Sequence, residues 1–183
     1  MRRGREATMD AFVHASPELQ LLARKIDLPA RFVRFGITDL TRQNLSAVQP
    51  ILSDHLNGLS SRFYEYLRRF PEAERIFQHH DSEVIRQHLQ RHWVRVLHGH
   101  YDDEYVLSAL MIGYAHYRAQ VSPPMYMAGY NFFLSSFLEE IAREYRGSDL
   151  VAATGSVSKV ILFDMSITLT AFMVSALQGD PRD

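Results

Sequence analysis

The stretch Ile112-Gly113-Tyr114-Ala115-His116-Tyr117-Arg118-Ala119-Gln120-Val121-Ser122-Pro123-Pro124-Met125-Tyr126 decides how this chain is read. Its second half holds a helix start: the Ser122 hydroxyl can cap the first N–H groups, and Pro123, lacking an N–H, suits the first helical position. Its first half ends the preceding helix. That helix opens after Asp102 as cap, has Asp103 and Glu104 in its first turn, and carries Tyr105, Ala109, Ile112 and His116 along one stripe. A histidine therefore lies on an inward face shortly before the next helix begins.

Upstream, Asp81 is placed to cap a helix in which Val84, Ile85, His88, Leu89, His92, Trp93, Val96 and Leu97 recur as adjacent pairs every four residues, putting His88 and His92 on an apolar face. Before it, Leu56, Leu59, Phe63, Tyr64 and Leu67 mark one face of a helix ending near Phe70-Pro71. Thr38 or Asp39 can cap a helix running to the mid-fifties, with a break or kink expected at Pro50. Ser16-Pro17 opens a short helix to about Lys25, which Pro29 closes, and a connector is expected from there through Gly36. Downstream, the helix opened at Ser122-Pro123 runs to about Tyr145 and is stopped by Gly147, and Ser148 starts a last helix to about Gln178-Gly179. Strictly alternating, strand-like runs are scarce. The expectation is an all-α chain of seven or eight helices in a single domain: residues 1–15 a flexible N-terminal extension, 16–178 the helical core, 179–183 a tail.

Of 183 residues, 46% are hydrophobic, enough for one packed core. There is no cysteine, so disulfides, zinc–thiolate sites, iron–sulfur clusters and thiol nucleophiles are excluded, and a metal would have to be held by histidine or carboxylate. Net charge is -1, and the 20 cationic residues, all arginine apart from Lys25 and Lys159, are scattered, which argues against a nucleic-acid groove. The basic start, Met1-Arg2-Arg3-Gly4-Arg5-Glu6, has no apolar signal-peptide core behind it, so a cytoplasmic protein is expected. Between Val157 and Leu177 the chain is apolar, but Lys159 and Asp164 interrupt it; a buried helix is expected there, with no membrane insertion.

Chemistry points to the histidines, of which there are nine. His14, His79, His80, His98 and His100 fall near helix ends or loops. His88 and His92, one turn apart, have the spacing of a shared metal site, but no third ligand stands near them in sequence. Three inward histidines on two consecutive helices suit a haem, whose iron binds neutral imidazole while apolar side chains cover the porphyrin.

Ile112-Gly113-Tyr114-Ala115-His116-Tyr117-Arg118, followed by Pro123 and Tyr126, resembles the proximal segment of the globin-coupled sensor family. Phe63-Tyr64, within Leu59-Ser60-Ser61-Arg62-Phe63-Tyr64-Glu65-Tyr66-Leu67, is similar to that family's distal Phe-Tyr pair. His92-Trp93, Gly99 and Tyr101-Asp102-Asp103-Glu104-Tyr105 are similar to its link between distal and proximal helices, and Lys159-Val160-Ile161-Leu162-Phe163-Asp164-Met165 resembles its last helix. The order holds from about Asp39 to Leu177. The chain departs from the pattern at Arg118-Ala119-Gln120-Val121, where the family commonly has Arg-Ile-Gly-Leu, at Met125, where it has Trp, and at His88, where it has a small polar or apolar residue.

The resemblance implies a globin fold, a three-over-three helical sandwich with an extra N-terminal helix and no D helix, binding haem b (iron protoporphyrin IX). It implies His116 as proximal iron ligand, Tyr126 packed or hydrogen-bonded near it, and Tyr64 as the distal donor to a bound gas. His88 has three readings: a second axial ligand, a distal hydrogen-bond donor, or a side chain at the pocket edge. His92 is expected to face a haem propionate or solvent. Phe63, Phe77, Ile85, Leu89, Met111, Ile112, Met125 and Tyr130 are candidates for the remaining wall. The function implied is non-enzymatic: a sensor of a diatomic gas (dioxygen, carbon monoxide, nitric oxide) or of redox state. The last helix is apolar on more than one face, so a homodimer through the last two helices is expected. The sensor's signalling output domain would lie outside the few residues that follow Gly179. The alternatives are a haem-free, globin-like interaction or stress-sensing module, and a globin enzyme such as a nitric oxide dioxygenase or peroxidase.

Overall fold

Helix starts written in a single side chain form as the sequence predicts. In the structure, a computed structural model that describes residues 16–77 and 82–178, Ser16 is extended and its hydroxyl accepts from the Leu19 N–H at the head of α1 (Pro17–Arg24). Thr38 and Thr41 form a reciprocal capping box at the head of α3 (Asp39–Leu67). Asp102 accepts from the Tyr105 N–H at 2.7 Å to open α6 (Asp103–Arg118), and Ser122 caps α7 (Pro123–Glu144). The remaining helices are α4 (Pro71–Phe77), α5 (Ser82–His98) and α8 (Gly147–Gln178). The expected cap Asp81 lies outside the described residues.

Two proline readings are corrected. The connector expected after Pro29 is a helix, α2 (Leu28–Phe35): Asp27 caps it, Pro29 sits in its first turn where a missing N–H costs nothing, and Gly36 ends it in the left-handed conformation. Pro50 neither ends nor divides its helix, and α3 runs 29 residues through it. Pro50 is exposed, so the carbonyl it leaves unpaired can take water, while Leu45, Val48 and Leu52 are buried on the opposite face and hold both halves against the core.

Helix α8 is the axis of the molecule. Val157, Val160, Ile161, Phe163, Ile167 and Ala171 are buried on it, and α2, α3, α5, α6 and α7 all pack against it. Among the described residues it is the one helix long and apolar enough to cross a membrane, and its inner face lies in the protein core. Its outer face keeps Val151, Leu162, Met173 and Leu177 exposed.

The most extensive helix pair is α6 with α8. It closes tightest at Gly113, where a Cβ would stand 1.9 Å from the Thr168 carbonyl oxygen; only glycine permits this approach. By contrast α5 and α6, consecutive in the chain, share no extensive packing and meet through Arg95, which lies 3.5 Å from Glu104 and over the Tyr105 ring. Helix α3 supports α5 and α7, and α1 covers α6.

Candidate functional site

His116 lies in the last turn of α6. Its Nδ1 stands 2.8 Å from the Ile112 carbonyl oxygen, which can only accept, so Nδ1 carries the proton and Nε2 keeps its lone pair. Burial disfavours the imidazolium and outweighs the Ile112 hydrogen bond, which favours it; with the nearby His92 adding to burial, the ring's pKa lies below the usual histidine value and the ring is neutral at pH 7. Among the described residues the ring makes no second hydrogen bond. The Tyr126 ring, from the first turn of α7, meets it edge to face at 4.7 Å. A neutral imidazole with one nitrogen anchored and the other available is the form a metal requires.

The turn that fixes this ring is built on its own backbone. Val121 N–H bonds to the His116 carbonyl at 3.1 Å and Gln120 N–H to that of Tyr117 at 2.9 Å, a Schellman closure of α6. Gln120 takes the left-handed position (φ 56°) where the family pattern carries glycine, so the turn keeps its shape despite the sequence departure.

Of the residues expected to face a cofactor, Ile85, His88, Leu89 and His92 on α5 and Met111, Ile112 and His116 on α6 are half-buried, whereas Tyr126 and Tyr130 on α7 are buried. These two half-buried helices pack mainly on other elements, α5 on α3 and α6 on α8, and meet each other through Arg95, which is 3.5 Å from Glu104. Tyr64 on α3 stands beside the start of α5, close enough to feel Arg86 and Glu83, and burial pushes its phenol up to about 12. Nδ1 of His88 is 3.3 Å from an Arg91 Nη; a guanidinium only donates, so this nitrogen accepts.

Other wall candidates are taken up elsewhere. Phe63 packs among Phe132 and Phe133, with centroids 5.3 and 4.9 Å away. Met125 lines an open groove of about 690 Å³ with Tyr66, Phe70 and Arg75. The side chain of Phe77 lies outside the described residues. Against expectation, His92 is not turned to solvent or left for a propionate: its Nε2 bonds to Asp164 Oδ2 at 2.9 Å, which also ends its pairing with His88. Among the described residues no three His, Asp or Glu side chains gather into a protein-only metal site.

Sequence reasoning missed the centre of this network. Asp164, fully buried on α8, accepts Tyr105 Oη at 2.5 Å on Oδ1, and Tyr130 Oη at 2.7 Å together with His92 on Oδ2. Burial pushes its carboxyl up, but His92 and the two phenols outweigh that and hold it below the ordinary carboxylate range. Tyr105 and Tyr130 are raised well above the usual phenol value, by burial first and then by the Asp164 charge. The available signal was a carboxylate within an apolar helix, which must find donors or stay out of the core.

An all-helical domain with a neutral, anchored histidine in the last turn of one helix and a distal tyrosine beside another has the construction of a globin. The fold agrees: the structure superposes on the globin domain of the Geobacter sulfurreducens globin-coupled sensor with a TM-score of 0.75 at 19% identity, covering 80% of this chain and 98% of that one. The protoglobin family model matches residues 23–176, and the chain belongs to the protoglobin family. Globins are haem proteins as a class, and the residues present fit the group: one imidazole in the ligating tautomer and two half-buried apolar faces.

Proposed function

We propose that this chain is a sensor globin that binds haem b through Nε2 of His116 and reports a diatomic gas or the oxidation state of the iron. The observation that carries this is the His116–Ile112 hydrogen bond, which leaves Nε2 of a neutral imidazole available. Iron held there would supply the binding of a gas; everything else would be done by side chains. Ile112 holds the ring in its tautomer, Tyr126 fixes its tilt, and Leu89, Met111 and Ile112 keep water from the macrocycle. Tyr64, neutral throughout the physiological range, can donate to a bound ligand. His88, with Nδ1 accepting from Arg91, carries its hydrogen on Nε2 when neutral, which is the state of a donor to bound gas and not of an iron ligand.

The exposed apolar residues Leu162, Met173 and Leu177 of α8 and Met127 of α7 support a homodimer through the last two helices, with an output domain receiving the signal and no turnover in the globin itself. Absorption spectra of the haem-loaded protein test the reading: a Soret band is expected in wild type, lost or strongly weakened in His116→Ala and kept as five-coordinate iron in both wild type and His88→Ala. A Soret band of full strength in His116→Ala would overturn it.

A further inference from the structure

The network around Asp164 does more than satisfy a buried charge. It gathers one side chain from each of α5, α6 and α7 onto α8: His92, Tyr105 and Tyr130. Its two carboxylate oxygens lead in different directions. From Oδ1 the path stops at Tyr105, whose ring lies among Tyr101 and Phe163 in the core. From Oδ2 it continues through Tyr130, whose hydroxyl also lies 3.1 Å from Thr168 Oγ1, to the Tyr126 hydroxyl at 3.4 Å, and the Tyr126 ring is the one that meets His116. On the other side of Thr168, its backbone carbonyl lies against Gly113, one turn before His116 on α6. A single turn of α8, Asp164 to Thr168, thus touches the histidine's surroundings twice: by hydrogen bonds through α7, and by backbone contact with α6.

We propose that Asp164 is a positioning residue for His116: through Tyr130 and Tyr126 it sets from α8 the orientation of the histidine ring, and it makes α8 the element that follows a change at His116. This rests on His116 being the iron ligand only for its functional meaning; the positioning itself is a property of the chain. The physical reason is that a buried carboxylate is costly to leave without its donors, so each oxygen holds its own donors in place, and on Oδ2 that hold passes from Tyr130 to Tyr126. The Tyr126 hydroxyl donates to Tyr130, its ring stacks on Phe172 of α8, and Tyr130 is held by an acceptor that α8 carries, so Tyr126 is positioned from α8. His92, the one further titratable group on the carboxylate, comes from α5 and ties the opposite wall to the same point.

The test compares Asp164→Asn, Tyr130→Phe, Tyr126→Phe and, as control, Tyr105→Phe, which removes a hydrogen bond of equal rank from the Oδ1 arm. In the haem-free protein, the His116 ring protons, read by NMR, are expected to move in the first two variants, as the edge-to-face contact with Tyr126 changes, and to stay in place in Tyr105→Phe. In the haem-loaded protein, Asp164→Asn and Tyr126→Phe should each quicken haem release about tenfold, and together by no more than about the same factor, because they cut one path. Their Fe–His stretching bands should shift alike. Unmoved His116 protons in both Asp164→Asn and Tyr130→Phe overturn the proposal, as does an equal movement in Tyr105→Phe or fully multiplicative effects in the double variant. A wild type that takes up no haem would refute the proposed function and leave the haem-free measurement to decide this one. Should Asp164→Asn fail to fold, Tyr130→Phe leaves the carboxylate in place, cuts the same arm and decides the question alone.

Discussion

Replacing Gly113 with alanine places a methyl group where α6 and α8 have no room. The new Cβ would lie 1.9 Å from the Thr168 carbonyl oxygen and 2.8 Å from its carbon. Both are backbone atoms in the middle of a long helix, so no side chain can rotate away. To reach ordinary contact the helices must part by about 1.5 Å, along the most extensive interface in the molecule. Exchanging glycine for alanine in a helix returns about 1 kcal/mol. Ordinary overpacking costs about 1–3 kcal/mol, and a rigid backbone clash exceeds that range. The expected net loss is about 2–4 kcal/mol, read as a fall in melting temperature of about 5–12 °C for a chain of this size. The assay is thermal unfolding of the haem-free protein followed by circular dichroism, with Gly58→Ala beside it. A Cβ at Gly58, exposed on α3, meets nothing within 4 Å and should stabilise by about 0.5–1 kcal/mol. If Gly113→Ala melts at or above wild type, the close approach of α6 to α8 is wrong, and with it the backbone contact that brings Thr168 to the turn before His116.

Gln120→Gly should raise stability by about 1 kcal/mol, about 2–4 °C in melting temperature, because it relieves a side chain held at positive φ in the turn after His116; an unchanged or lower melting point would argue that Gln120 is not in that conformation. His116 is buried neutral with its pKa below 6.5, so the unfolded chain binds a proton that the folded one refuses: the haem-free protein should lose stability as pH falls from about 6.5 toward the folded pKa, and His116→Leu should lack that part of the slope in denaturant titrations. Asp164 has the acid counterpart: with its folded pKa below 3.8, its contribution is complete above that pH and disappears as pH falls through the folded value, a step that Asp164→Asn should not show. Tyr64→Phe should release dioxygen about tenfold faster, the loss of one hydrogen bond to a polar ligand; stopped-flow rates equal to wild type would remove Tyr64 from the distal role.

Local chemistry is legible without any structure. The caps at Ser16, Thr38, Asp102 and Ser122 form because donor and acceptor are three residues apart and need no help from the rest of the chain. The same locality makes His116 readable: its tautomer is set by a carbonyl four residues back on the same helix. Proline misleads because its cost depends on its place: Pro29 falls in a first turn where no carbonyl waits for its N–H, and the carbonyl freed by Pro50 faces solvent, which is a tertiary fact. His92 reads correctly as an inward-facing residue but with the wrong partner, since the true partner is 72 residues away.

By itself, then, the sequence determined an all-helical chain, most of its helix boundaries and the histidine on which a globin site turns, since each of these follows from interactions within a few residues or from a motif carried in one stretch. Only the tertiary structure decided that α6 touches α8 backbone to backbone at Gly113 and that Asp164 gathers three helices around one carboxylate. Those features join residues 34 to 72 positions apart, and the hydrophobic effect that brings them together has no direction of its own. Which donor meets which acceptor is settled by how the packed helices cross.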